Sequence, residues 1–299
     1  MNPAEPTPLT ARRGAPLQGR VRVPGDKSIS HRALILGALT VGETTVSGLL
    51  EGEDVLHTAA AMRALGTRLE RTPEGIWRIQ GVGVGGFAQP AEPLDFGNSG
   101  TGCRLVMGAV AGCPLTAVFD GDASLRKRPN APLIKALNDM GAICYSTRNN
   151  GMAPIVVHGP MKGGDITIDG GISSQFISSL LISCPFARND TTIKIKGELK
   201  SKPYVEVTLE MLEKAGGKIT TDFKEFHIAS DQEYDLKSYR IPGDFSSSSY
   251  MLAAGALAGK VTVNNLFESK QGDAAIMEHL LAMGANVYWD TAKGAPTVE

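Results

Sequence analysis

The sequence has few of the features that mark membrane, secreted or metal-binding proteins. No apolar run approaches the ~18 residues that a membrane-spanning helix needs. The first twenty residues contain no apolar segment of the kind that secretory signals carry. The four cysteines include no CxxC pair, and the five histidines form no metal-ligand spacing. We therefore expect reduced thiols, a cytoplasmic location and no metal site.

Aromatic residues and net charge are also scarce. Aromatics make up 6% of the chain, and 30 basic residues balance 31 acidic ones. This balance argues against nucleic acid or a membrane surface as a partner, although a local basic cluster can still bind a small anion. The hydrophobic fraction of 42% is enough for a buried core. At roughly 100–200 residues per domain, 299 residues indicate two domains.

What the sequence does have is an internal repeat. Four segments each combine a strand, a glycine turn, a polar helix start and an apolar helical run: VRVPGDKSISHRALILGAL, LDFGNSGTGCRLVMGAVAG, ITIDGGISSQFISSLLISC and YRIPGDFSSSSYMLAAGAL. Their turn glycines lie about 73 residues apart. A second, amphipathic helix in each unit ends where a left-handed glycine would stop it, at Gly66, Gly141, Gly216 and Gly284. The repeat predicts an α/β fold built of two-helix, four-strand units.

The first unit carries a candidate anion site. Residues 24–32 (PGDKSISHR) follow a strand and open a helix, so free N–H groups and the positive end of the helix dipole face a ligand there. Lys27 supplies a point charge and Arg32 a guanidinium fork, which suit phosphate or carboxylate. The alternative is a Ser-capped helix with solvated basic residues. Three further copies favour the first interpretation, because several helix N-termini can converge on one cleft.

The later units add polar groups at equivalent places. In the second unit, glycines at 97, 100 and 102 allow a ligand close to the backbone. In the third, residues 173–175 (SSQ) offer three polar side chains where one cap suffices, which favours ligand binding. In the fourth, Asp244 predicts capping, because its charge repels an anion. Two basic loops, residues 125–129 and 200–204, occupy equivalent positions in the second and third units.

These motifs together carry a family resemblance. PGDKSISHR, GNSGTGCR, LRKRP, GGISSQF, KSKPY and PGDFSSSSY, in this order, resemble the 5-enolpyruvylshikimate-3-phosphate synthase family from about residue 12 to the end. UDP-N-acetylglucosamine enolpyruvyl transferases and RNA-phosphate cyclases have similar units but differ at SSQ and KPY. The resemblance implies a carboxyvinyl transferase of the shikimate pathway, which moves the enolpyruvyl group of phosphoenolpyruvate to the 5-hydroxyl of shikimate 3-phosphate and releases phosphate. It also implies no cofactor, and inhibition by glyphosate.

The resemblance assigns roles to particular residues. Both substrates would contact Lys27, Ser28 and Arg32. Shikimate 3-phosphate would also be held by Ser173, Ser174, Gln175, Ser201 and Tyr204, whereas the phosphoenolpyruvate and glyphosate side would be lined by Asn98, Gly100, Thr101, Arg128 and Gln175. Lys27 is the best candidate for moving a proton, since burial among other cations favours the neutral amine. An alanine at position 100 would obstruct glyphosate, so Gly100 predicts sensitivity.

The resemblance also implies six units, three in each domain, of which this chain supplies four. We expect residues 1–21 to add a strand to the second domain, residues 22–238 to form a complete three-unit domain, and residues 239–299 to form one unit of the second. The acid/base carboxylates of the family would lie in the fifth and sixth units. Two hypotheses stay open: a piece of an enzyme of this family, or a module that binds shikimate 3-phosphate and complements a separate C-terminal piece. An incomplete domain would expose apolar surface and favour self-association.

Overall fold

The computed structural model describes residues 14–83 and 85–299, and the repeat is plain in the order of its helices and strands. The first unit contains β1 (Leu17–Arg22), α1 (Lys27–Leu39), β2 (Val41–Ser47), α2 (Glu53–Ala64), β3 (Arg68–Arg71) and β4 (Trp77–Val82). The second contains β5 (Leu94–Asp95), α3 (Gly100–Ala111), β6 (Thr116–Asp120), α4 (Ala131–Asp139), β7 (Ile143–Ser146) and β8 (Ile155–His158).

The other two units follow the same order. The third contains β9 (Gly164–Asp169), α5 (Ser174–Ser183), β10 (Thr191–Lys196), α6 (Lys202–Lys214), β11 (Ile219–Thr221) and β12 (Glu225–Ile228). The fourth contains β13 (Ser238–Arg240), α7 (Phe245–Ala258), β14 (Gly259–Asn264), α8 (Ile276–Ala282), β15 (Val287–Asp290) and β16 (Ala295–Val298). The prediction of two helices and four strands per unit is confirmed.

The four predicted helix-ending glycines confirm the second periodicity. Gly66, Gly141, Gly216 and Gly284 have φ angles between 86° and 96°. Each follows the last residue of α2, α4, α6 or α8 by two positions. A residue with a β-carbon is disfavoured in this conformation, so glycine stops the helix at a defined place and turns the chain toward the next strand.

Each unit contributes to a four-stranded mixed sheet, and two of the units exchange a strand. The second and third units build their sheets from their own strands, in the orders β5-β6-β8-β7 and β9-β10-β12-β11. In the first and fourth units the leading strands change places. The strand β1 pairs in parallel with β14, and β13 pairs in parallel with β2. The chain therefore crosses twice between the first and the fourth sheet.

The two crossovers lie side by side. Gly25 and Gly243 form an isolated antiparallel bridge, the Asp26 N–H donates to Pro242 O at 2.9 Å, and the Asp244 N–H donates to Pro24 O at 3.0 Å. Both glycines are required by close packing: a β-carbon at Gly25 would lie 2.0 Å from Gly48 O. The crossovers bring the start of α1 and the start of α7 together.

Two hydrophobic cores flank the crossovers. The larger runs through the first three units and ends with Ile241, and the smaller contains Val23 and residues of the fourth unit such as Phe245, Leu252 and Val263. The predicted domain boundaries at 21/22 and 238/239 fall near the crossovers, and the division into domains stays a prediction. Residues 1–13 of the predicted 1–21 segment lie outside the described residues. Within the described ranges, no helix has the length and apolar character to cross a membrane.

Candidate functional site

A cleft of about 540 Å³ lies where five helices begin. The first turns of α1, α3, α5, α6 and α7, with the residues just before them, supply nearly all of its lining: Asp26, Lys27, Ser28, Arg32, Thr101, Ile172, Ser173, Ser174, Gln175, Ser201, Tyr204, Asp244 and Ser246. Helix N-termini present unpaired N–H groups and a positive dipole end, so this geometry favours a bound anion.

The first turn of α1 is capped by Asp26, so the alternative of a Ser-capped helix is wrong. The Asp26 carboxylate accepts a hydrogen bond from Ile29 N at 2.6 Å. Burial raises the pKa of Asp26 to about 6, and the nearby Asp244 carboxylate adds to the effect. Ser28 does not cap the helix. Its hydroxyl accepts a hydrogen bond from Arg32 Nη1 at 2.7 Å instead.

Arg32 is fully buried, and the protein itself uses all of its donors. Its Nε donates to Thr208 Oγ1 at 2.8 Å. Nη1 donates to the hydroxyl and the carbonyl of Ser28, and Nη2 donates to Ser178 Oγ at 3.1 Å and Tyr204 O at 3.2 Å. Burial lowers the pKa of Arg32 to about 10, so the side chain stays charged at neutral pH. The predicted contact with substrate therefore requires a ligand to share or replace one of these bonds.

Lys27 does not have the predicted environment. Its side chain is 52% exposed at the mouth of the cleft, and Nζ lies 3.2 Å from Asp54 Oδ2 on α2. The expected burial among cations is thus wrong, because the first residue of α1 points away from the core that encloses Arg32. Lys27 does line the cleft, as predicted.

All three residues of the SSQ segment line the cleft, although only Ser173 caps the helix. Ser173 caps α5 by accepting from Gln175 N at 3.3 Å. The Gln175 amide donates to Thr101 Oγ1 at 2.9 Å and accepts from Arg104 Nη1 at 2.6 Å. These two bonds tie the start of α5 to the start of α3, which places the second and third units on adjacent walls of the cleft.

Three predicted residues form a cluster beside the cleft. Asn98, Gly100 and Arg128 are absent from its lining, but Gly100 directly precedes Thr101, which does line it. Arg128 Nη2 donates to Asn98 Oδ1, and a β-carbon at Gly100 would lie 2.7 Å from Arg128 Nη1. The structure thus brings the three residues together at the start of α3.

Ser201 and Tyr204 complete the third wall. Ser201 precedes α6 in a left-handed conformation, with φ 55°, which turns the chain into the helix. The Tyr204 carbonyl accepts from Arg32, and its ring side chain is partly exposed to the cleft. Partial burial raises the pKa of the Tyr204 phenol, and Asp273 is the strongest of the nearby acids that add to this.

Several residues of this site lie outside the set predicted to bind substrate. Asp26, Ile172, Asp244 and Ser246 also line the cleft. The repeated PGD motif, which places the same aspartate before α1 and α7, was the signal for Asp26. Arg104 was missed as well. Its guanidinium donates to Gln175 Oε1, Asn130 Oδ1 and Pro129 O, and it lies 5.0 Å from the Phe176 ring centroid. It thereby links α3, α5 and the loop that carries Arg128.

Comparison with known proteins agrees with the geometry. The family model for EPSP synthase (3-phosphoshikimate 1-carboxyvinyltransferase) matches residues 11–295. Proteins named 3-phosphoshikimate 1-carboxyvinyltransferase from Methanocella arvoryzae and Methanosarcina acetivorans are 58% and 50% identical, over 94% of this chain. An EPSP synthase structure from Acinetobacter baumannii is 31% identical, with a TM-score of 0.80 over 95% of this chain. The chain spans 66% of the length of both relatives and 64% of the solved chain.

Proposed function

Because the chain belongs to the EPSP synthase (3-phosphoshikimate 1-carboxyvinyltransferase) family, we propose that its cleft binds shikimate 3-phosphate for reaction with phosphoenolpyruvate. In this reaction of the shikimate pathway, the 5-hydroxyl of shikimate 3-phosphate receives the enolpyruvyl group and phosphate is released. A cytoplasmic location is part of the proposal. It is supported by four cysteines that are all buried free thiols.

The observation that carries the proposal is the convergence of five helix starts around a buried arginine. The helix starts aim the positive ends of their dipoles at the cleft, and Arg32 adds a permanent charge at its floor. Two reacting anions repel each other, and fixed positive groups offset this repulsion without reorganising during the reaction. Holding both reactants in one cleft also supplies rate acceleration through orientation.

In this proposal the two substrates contact different sets of residues. The hydroxyls of Ser173, Ser174, Ser201 and Tyr204 bind the phosphate and hydroxyl groups of shikimate 3-phosphate, together with Ser28 and Gln175. Phosphoenolpyruvate and the inhibitor glyphosate occupy the side of Asn98, Gly100, Thr101 and Arg128. Lys27 exchanges the Asp54 carboxylate for an oxygen of the incoming ligand, since its side chain is half exposed and ends in a flexible four-carbon stem.

Calorimetric titration of the 299-residue chain with shikimate 3-phosphate tests the substrate assignment. We expect saturable binding to one site, weakened by Ser174→Ala because that hydroxyl faces the cleft. Ser183→Ala is the matched control, since Ser183 is buried at the far end of the same helix and bonds to Ser179 O and Leu180 O. An absence of binding, or equal loss in both variants, would contradict the proposal.

A second candidate is that the chain binds but does not turn over alone. Two observations favour it: the chain spans 66% of the length of the relative, and among the described residues α7 has no counterpart of the contacts that α3 makes with α1 and α5. In the first three units α3 packs between α1 and α5, whereas α7 packs on its own sheet and against α8. We propose that turnover needs a C-terminal piece, equivalent to the unmatched third of the relatives, which covers α7.

Mixing tests this second candidate. Phosphate release from both substrates is measured with the chain alone, with the unmatched third of the Methanocella arvoryzae relative alone, and with the two together. We expect release above background in the mixture only. Turnover by the chain alone would show that no further piece is needed, and a mixture without turnover or association would remove the complementation proposal.

A further inference from the structure

We propose that His31 is a positioning residue, which fixes the first turn of α3 against the first turn of α1 through the hydroxyl of Thr58. The inference deepens the proposed function and rests on it for the identity of the ligands. His31 does not itself line the cleft. It acts through Thr58 on the turn that carries Gly100 and Thr101.

The contacts form a continuous line from α1 to α3. His31 is fully buried, and its Nδ1 lies 2.8 Å from Thr58 Oγ1 on α2. The same hydroxyl lies against Gly102: a β-carbon there would be 2.3 Å from Thr58 Oγ1. The first turn of α3 therefore rests directly on the oxygen atom that His31 holds, with no side chain between them.

His31 and Arg32 fix α1 against different neighbours. Arg32 bonds to Ser178 on α5 and Thr208 on α6, and thereby fixes α1 against the third unit. His31 faces the other way and fixes α1 against the second unit. Two consecutive residues thus set the distance between the walls that, in the proposed function, hold the two substrates.

The chemistry of the imidazole argues against a role in packing alone. Its Nε2 has no hydrogen-bond partner among the described residues. Burial, with Arg32 and Lys27 nearby, lowers the pKa of His31 to about 3, so the ring is neutral at physiological pH. A buried polar atom without a partner destabilises the fold, and an aliphatic side chain of similar size avoids that cost. The hydrogen bond between Nδ1 and Thr58 Oγ1 is therefore the interaction that histidine provides and an aliphatic side chain does not.

Three variants separate this role from packing. His31→Leu and Thr58→Val remove the hydrogen bond and keep the buried volume. His31→Asn places a polar atom at the δ position, where Nδ1 makes its bond, and lacks the unpartnered ε nitrogen, so we expect it to retain wild-type behaviour. Ser183→Ala, which removes a buried hydroxyl far from α3, is the control.

Hydrogen exchange measured by mass spectrometry on the full chain gives the ligand-independent readout. We expect faster exchange in residues 97–104 of His31→Leu and Thr58→Val, where the Gly102 and Cys103 amides bond to Ser99, and no change in residues 173–178. Equal acceleration in both segments, no acceleration, or the same effect in His31→Asn as in His31→Leu would overturn the proposal.

Calorimetry gives the second readout. We expect His31→Leu and Thr58→Val to weaken phosphoenolpyruvate binding about tenfold in the presence of shikimate 3-phosphate, the loss typical of one orienting hydrogen bond. The affinity for shikimate 3-phosphate itself should not change, and equal loss for both ligands would contradict the role. If the wild-type chain binds neither ligand, the proposed function fails, and the exchange experiment still decides the role of His31.

Discussion

Arg32 illustrates how a buried cation can serve an anion site while bonded to neutral groups. All five of its N–H donors go to hydroxyl or carbonyl oxygens of Ser28, Ser178, Tyr204 and Thr208. These oxygens satisfy the hydrogen bonds but do not neutralise the charge. Its field acts through an interior that screens it weakly, and the Asp26 carboxylate, which lines the same cleft, offsets part of it.

We expect Arg32→Lys to weaken shikimate 3-phosphate binding although it conserves the charge. An ammonium has three donors where the guanidinium has five, so at least two buried acceptors lose their partner. The free energy of unfolding should fall by about 2–3 kcal/mol and the affinity about tenfold or more. Urea denaturation and calorimetry measure the two effects. Wild-type affinity in this variant would show that charge alone matters.

Gly100→Ala tests the prediction that Gly100 makes the protein sensitive to glyphosate. The new methyl group would lie 2.7 Å from Arg128 Nη1, so the guanidinium must move and its bond to Asn98 weakens. We expect at least about tenfold weaker glyphosate binding in the presence of shikimate 3-phosphate, the scale of one charge-assisted hydrogen bond. Calorimetry measures this, with Gly19→Ala as control, because a β-carbon at Gly19 meets nothing within 4 Å. Equal glyphosate affinity in wild type and Gly100→Ala would refute the steric argument.

At this scale the sequence predicted which residues come together better than it predicted their environments. Motif spacing and the family resemblance brought Ser173, Gln175 and Tyr204 to one cleft. The exposure of Lys27 depends on which way the first residue of α1 points, and the helix pattern does not fix that direction. The role of Asp26 was missed because a serine and an aspartate are equally good caps, and only burial distinguishes their positions.

At the scale of elements, α1 and α7 begin alike but differ in burial. Each has an aspartate cap after a Pro-Gly crossover, and the two caps lie across the bridge between Gly25 and Gly243. Asp26 is buried, whereas Asp244 is partly exposed. The charged form of Asp26 is therefore the more costly, and this cost gives a pH dependence.

The pKa of Asp26 is about 6 in the folded chain, raised from an ordinary value of 3.8. Between these pH values the unfolded chain has lost the proton and the folded chain retains it. The contribution of Asp26 to the free energy of unfolding is therefore fully present below pH 4 and lost as the pH rises through 6. We expect Asp26→Asn, which keeps a capping oxygen, to remove a fall of about 3 kcal/mol across this range.

Urea denaturation at pH 4.5 and 7.5 checks this prediction. The stability of Asp26→Asn relative to wild type should increase from the lower to the higher pH. Asp244→Asn is the control for exchanging a cap carboxylate for an amide at the equivalent place on α7. Parallel pH profiles for wild type and Asp26→Asn would contradict the assignment.

A helix or strand can be predicted from the sequence when the residues that determine it lie close together in the chain. Helix ends at Gly66 and Gly216 were predicted because a left-handed glycine acts within a few residues. Tertiary contacts determine which sheets β1 and β13 join, because each strand has a sheet-forming pattern and two suitable partner strands. Only the resemblance, and not the pattern, indicated that the first strand leaves its own unit.

At the scale of the whole molecule, the repeat explains where apolar surface is left uncovered. The sequences of α1, α3 and α5 are almost wholly buried, because equivalent helices pack together in the first three units. The sequence of α7 is equally apolar, yet only four of its residues are buried. Tyr250 and Leu257, two helical turns apart on one face, are 75% and 87% exposed.

This face predicts self-association of the chain at high concentration, because contiguous exposed apolar surface favours contact between copies. We expect the weight-average mass in sedimentation velocity to rise with concentration, and Tyr250→Ser with Leu257→Ser to abolish the rise without altering shikimate 3-phosphate affinity. Ile143→Ser with Tyr145→Ser is the matched control, since these residues on β7 are also large, apolar and half exposed. If the control pair abolishes association equally, general hydrophobicity is the cause. An effect confined to the α7 pair means that the missing helix neighbours cause it, and the complementing C-terminal piece should then suppress association by covering the same face.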